Sequence, residues 1–148
     1  MRLVSTLLFA SLISTYSFAE SNHPKHYDKY TSKVSLCTQI EKNKAPLQTT
    51  DLKGISRNSL LEVIPYLKEK RIVDCSYREE LDSLTRTLRE DKNKINYQSL
   101  EDQYLSISLL KKEVSFLSIK KEQRDVIIEA SKDKSLEMNI LDFFESIE

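Results

Sequence analysis

The chain carries 23 basic and 23 acidic side chains in 148 residues, and it holds one glycine, three prolines and two cysteines. Its formal charge is zero, and acids and bases are interleaved. That excludes the one-signed footprint a nucleic-acid-binding domain needs to neutralise phosphates. A single glycine leaves no room for phosphate loops, dinucleotide fingerprints or a G-x-S-x-G elbow, and it deprives hairpins and bulges of their usual residue.

The first element is an export signal. Arg2 gives a short basic start, Leu3 to Tyr16 an apolar stretch diluted by Ser and Thr, and Ser17-Phe18-Ala19 small residues at −3 and −1. This pattern predicts a signal peptide over 1–19, cut between Ala19 and Glu20. The apolar run is too short for a membrane span, which needs about 20 residues. No cysteine follows the cut, which argues against a lipid anchor. Residues 20–148 then form a single helical domain with a flexible lead at 20–25 and no stable membrane insertion. Export leads to the periplasm of a Gram-negative cell or to the medium. In such an oxidising compartment Cys37 and Cys75 are expected to pair. Closing a loop of about 38 residues constrains the unfolded chain by about 4 kcal/mol.

The expected fold is all-α, a small irregular bundle of five to six helices with one disulfide, because apolar residues recur at spacings of three and four. The first helix runs from Tyr27 to Asn43 with Tyr27, Tyr30, Val34, Cys37 and Ile40 on one stripe, and Ala45-Pro46 ends it. A connector with one short turn reaches Ser56. The second helix spans Ser59 to Arg71, with Ser59 and Glu62 as a capping box and Leu60, Leu61, Ile64 and Leu67 as its apolar residues. Lys68, Lys70 and Arg71 suit its C-terminus, and Pro65 predicts a kink or a split. Ser76 and Glu79 open a third helix bearing Tyr77, Leu81, Leu84 and Leu88, which frays from Glu90 to Lys94.

A fourth helix, Tyr97 to Ile119, is apolar on two sides. Leu100, Tyr104, Ile107, Leu110, Val114 and Leu117 form one stripe, and Leu105, Leu109, Phe116 and Ile119 form another roughly opposite. Such a helix is central in a bundle or shared with a partner, and the central position is expected. A fifth helix follows at Lys121 to Ser131 with Val126, Ile127 and Ile128. A sixth spans Ser135 to Ile147 with Leu136, Ile140, Phe143 and Ile147 on a narrow stripe and acids around it.

The sequence nominates no catalytic residue and no cofactor. The only histidines, His23 and His26, lie near the N-terminus with Asp28, a set that suits a transition metal only weakly because three or four rigid ligands are needed. Glu145-Ser146 resembles the Glu-Ser start of the lytic transglycosylase motif, yet no glycine follows it. The doublets Lys111-Lys112 and Lys120-Lys121 read as solvated helix faces. Residues suited to partner contact are Phe143 and Phe144 near the C-terminus and Leu105, Leu109 and Phe116 on the second stripe of the fourth helix.

The expectation is therefore an exported, non-enzymatic binding or accessory protein of envelope, pilus or secretion-system assembly, with another envelope or secreted protein as partner. The alternatives are a secreted effector or an inhibitor of a cell-wall enzyme, using the connector from Pro46 to Ser56, and an unrecognised helical hydrolase.

Overall fold

In the computed structural model, residues 25–90 and 96–137 are described. They form α1 (Lys25–Lys42), β1 (Ala45–Pro46), a 3-10 turn (Thr49–Leu52), α2 (Arg57–Glu90), α3 (Tyr97–Gln103), α4 (Leu105–Ser118), α5 (Lys121–Ser131) and β2 (Lys134–Ser135). The fold is an all-α bundle closed by a Cys37–Cys75 disulfide. Residues 1–24, where a signal peptide is expected, and residues 138–148 lie outside the described residues.

Everything is hung on α2, which is 34 residues long. The periodicity divides this stretch into two helices, but the helix runs through both Pro65 and Cys75. Ile72, Val73, Ser76, Glu80 and Ser83 are all buried along it. The inward face is thus continuous across the expected gap, and packing outweighs the one hydrogen bond that Pro65 removes. Ser76 caps nothing. Its hydroxyl donates to the Ile72 carbonyl at 2.9 Å, which is how a serine inside a helix satisfies itself. The N-terminus also differs. Gly54, at φ +85°, turns the chain, and Ser56 Oγ accepts the Ser59 amide at 3.2 Å. Ser56 is therefore the cap, while Ser59 is buried and gives its hydroxyl to Gln123 of α5.

α1 lies antiparallel to α2, with Tyr30 opposite Glu80, Cys37 bonded to Cys75 and Glu41 opposite Arg71. Tyr30 and Cys37 point inward as expected. Ile40 does not: it is 51% exposed, and Glu41, 3% exposed, takes the inward place because Arg71 and Lys44 neutralise it. α4 runs antiparallel to α2, placing Ser106 at Glu80, Lys112 at Glu69 and Phe116 at Tyr66. α5 runs parallel to α2, placing Gln123 at Ser59 and Ser131 at Arg71.

The segment 97–119 is not one helix. At Tyr104 the backbone is extended (φ −121°, ψ 117°), ending α3 and starting α4. Asn96 caps α3 by accepting the Gln98 amide. The break explains the two apolar stripes. Before it, Leu100 and Tyr104 face inward; after it, Leu109, Phe116 and Ile119 pack on the core. A phase shift at one residue moves the packed face from the first stripe to the second; Ile107 still reaches the second cluster, and Leu110, Val114 and Leu117 are left outside.

The sixth helix is expected to begin at Ser135, but Ser135 lies in β2. There β2 pairs in parallel with β1, Ala45 against Lys134 and Pro46 against Ser135. Leu47 then donates its amide to the Ser135 carbonyl at 3.3 Å. This pairing satisfies backbone groups of the two segments, and it delivers Leu47 and Leu136 into the interior. Two buried clusters result. Leu47, Leu52, Leu60, Val63, Ile64, Tyr66, Leu67, Ile127 and Leu136 surround the first half of α2. Tyr30, Leu100 and Tyr104, flanked by Tyr27, Val34, Leu84 and Ile107, surround the second.

Candidate functional site

The second cluster is built around Glu80, which is 2% exposed. The break at Tyr104 leaves the first amides of α4 without a local cap. Tyr30 Oη accepts the Leu105 amide at 3.1 Å and donates to Glu80 Oε1 at 3.3 Å. Glu80 Oε1 also accepts the Ser106 amide at 2.7 Å. A carboxylate is thus held at the positive end of α4 by residues of α1 and α2. Its other oxygen, Oε2, is buried and has no hydrogen-bond partner among the described residues. Burial pushes the Tyr30 phenol well above its usual value, and the neighbouring Glu80 adds to this.

The ring of Tyr104 stacks on Tyr30 at 5.5 Å and meets Tyr27 edge-on at 6.0 Å. Its hydroxyl pairs with Ser83 at 3.1 Å and Thr87 at 2.7 Å. His26 reaches Thr87 at 3.4 Å, so this half-buried histidine belongs to the edge of the cluster. Asp28 is exposed nearby on the same helix, and His23 lies outside the described residues. Among the described residues, no three His, Cys, Asp or Glu side chains come together as a metal-holding group. This arrangement caps a helix.

A second polar knot joins α1, α2 and α5. Arg71 donates to Glu41 Oε1 at 2.7 Å, to the Lys134 carbonyl at 2.8 Å and to the Ser131 carbonyl at 2.5 Å. The expected pairing of cations with a helix C-terminus is therefore present, but the helix served is α5. Burial raises the Glu41 carboxyl, yet the hydrogen bonds from Lys44 and Arg71 win and hold it below its ordinary value. Lys68, another of those cations, pairs with Glu137 at 3.0 Å.

The candidate contact residues separate clearly. Phe116 is half-buried, stacked on Tyr66 at 4.1 Å with the Arg124 guanidinium 5.0 Å from its ring. Leu109 packs on the first cluster. Leu105 lines a shallow groove of about 270 Å³ with Pro65, Lys68, Glu69, Ile72 and Lys112. Phe143, Phe144 and the Glu145-Ser146 pair lie outside the described residues. Open apolar surface lies on the other stripe of α4, where Leu110 is 65%, Val114 73% and Leu117 59% exposed, and also on α1 at Leu36 and Ile40 and on α2 at Tyr77, Leu81 and Leu88. Spaced at i, i+4 and i+7, Leu110, Val114 and Leu117 make one unbroken row along α4. The lysine doublets are engaged, Lys111 with Glu101, Lys112 with Glu69 and Lys121 with Asp125. The connector holds Leu47 and Leu52 in the core, while Pro46, Gln48, Thr50, Asp51, Lys53, Gly54 and Ser56 are exposed.

Beside the disulfide lies a pocket of about 380 Å³, lined among others by Cys37, Ile40, Lys44, Arg71, Asp74 and Cys75. No helix among the described residues is long and apolar enough to cross a membrane. Set against known protein families, curated proteins and solved structures, the chain matches none of them.

Proposed function

We propose that this chain is an exported, non-enzymatic binding protein that holds another envelope or secreted protein against the outer face of α4. The observation that carries the reading is the row Leu110, Val114 and Leu117 left open on a short helix whose opposite side is already packed. Isolated exposed leucines are ordinary, but three aligned on one face match one heptad of a helix seam. The occupant that fits is an amphipathic helix of the partner, laid alongside α4. Export is supported by the basic, apolar and small-residue pattern of 1–19 and agrees with a paired Cys37 and Cys75. Within this reading the protein serves as an accessory to envelope, pilus or secretion-system assembly.

The test places a photo-crosslinker at Val114 and, as a control, at Glu122 in the native host, then identifies the adduct and measures its binding in purified form. The expected result is one adduct from position 114 only, at least tenfold weaker binding for Val114→Asp, and a melting temperature within about 1 °C of the parent. Undiminished binding by Val114→Asp removes the proposal. A concentration-dependent dimer abolished by the same substitution assigns the face to a second copy instead. Recovery of a chain beginning at Glu20 from the periplasm supports the accessory role, and recovery from the medium the effector.

A further inference from the structure

The Cys37–Cys75 bond is unevenly covered. Cys37 is 3% exposed, whereas Cys75 is exposed. Both line the pocket described above, and of the two residues Cys75 is the one open to solvent while Cys37 is covered. Exchange at a disulfide depends on which sulfur an incoming thiolate can reach. The attacking sulfur approaches in line with the bond it breaks. The exposed residue of the pair, Cys75, is the one an incoming thiolate meets first.

The charges around the pocket do not repel a thiolate. Glu41 is held by Lys44 and Arg71, and Asp74 is held by Lys70 at 2.7 Å. The two acids lining the pocket are thus both neutralised, and two of the three cations involved line it themselves. The disulfide is also not the only link between α1 and α2. Tyr30 to Glu80 on one side and Glu41 to Arg71 on the other fasten the same two helices.

We propose that this disulfide is a one-sided thiol-exchange site: a dithiol protein of the Cys-x-x-Cys class engages Cys75, and Cys37 is the leaving and resolving group. In the reducing direction, the partner's thiolate bonds to Cys75 Sγ, the bond between Cys75 and Cys37 breaks, and Cys37 leaves as a thiolate that takes up a proton. The partner's second thiol then attacks its own mixed-disulfide sulfur and releases Cys75 as a thiol. Two electrons and two protons pass from the partner dithiol to this bond, and the partner ends as a disulfide. Run backwards, the same steps install the bond from an oxidised partner, again through Cys75. The inference stands apart from any partner held on α4.

The oxidised protein is incubated under native conditions with reduced glutathione, quenched with acid and N-ethylmaleimide, and mapped by peptide mass spectrometry. The expected product carries glutathione on Cys75 and maleimide on Cys37, at least tenfold over the reverse. In urea that unfolds the chain the two products should become about equal. Glutathione on Cys37, an even split under native conditions, or an adduct that forms only in urea would each overturn the proposal.

Discussion

Around the first half of α2 the chain packs Leu60, Val63, Ile64 and Leu67 against aliphatic residues from four other segments, whereas around the second half it packs tyrosines, serines and a glutamate. The two regions are stabilised by different physics. Aliphatic burial is non-directional and tolerates small shifts of register. The tyrosine–glutamate cluster holds its helix ends only if each hydroxyl and carboxylate oxygen meets its own partner. The first region therefore supplies most of the stability, and the second decides where α3 stops and α4 begins. The disulfide sits where the two regions meet.

This division can be broken or sharpened by substitution. Replacing both Cys37 and Cys75 with Ser removes the tether between the regions and is expected to cost about 4 kcal/mol, read from urea denaturation. An unchanged midpoint would show that the polar contacts on either side already hold α1. Ile127→Ala, at a position with 0% exposure, should cost about 3 kcal/mol through lost burial and a cavity. Its effect on amide exchange should track global unfolding throughout the chain. Glu80→Gln keeps one acceptor but puts an unpartnered amide where Oε2 is buried, so a loss of about 1–3 kcal/mol is expected. Here exchange should accelerate first at Leu105 and Ser106, and uniform acceleration would refute a local capping role.

The smallest effect concerns acid. Because the Glu41 carboxyl is lowered in the folded protein, its contribution is fully present above the ordinary glutamate value. It is lost as pH falls through the lowered one. Glu41→Gln should accordingly flatten the fall in stability below about pH 4.5. An acid limb identical to that of the parent would place the responsible group elsewhere.

The first region was readable from the sequence because its signal is aliphatic and periodic. Leu60, Ile64 and Leu67 declare a buried face by spacing alone, α5 was located at Lys121–Ser131 residue for residue, and the two cysteines paired as their number suggested. The second region was not, since buried serines and a glutamate resemble a solvated surface. Tyr27, Tyr30 and Tyr104 were placed on inward stripes, and three inward phenols already imply polar groups beside them. That hint could have led to Glu80 and Ser83. The break at Tyr104 has no proline or glycine to announce it. Its trace is the shift from one apolar stripe to another, which looks like a two-faced helix until the break is known. The open row on α4 has the same origin: Leu109 and Phe116, the residues expected to meet a partner, are packed, while Leu110, Val114 and Leu117 of the expected core stripe face solvent and Leu100, Tyr104 and Ile107 of it pack inward.

Arg71 imposes an order on assembly. The cysteines are separated by 38 positions, but the Glu41 carboxylate that Arg71 holds also accepts the Leu136 amide, 95 positions further along. Short loops close sooner than long ones. The tether between α1 and α2 should thus form while the strand after α5 is still searching, and the guanidinium waits half-satisfied until that strand arrives. In pulse-labelled refolding, sulfur–sulfur bonding is expected to precede protection of the Leu136 amide, making the β1–β2 clasp the last part of the domain to shut.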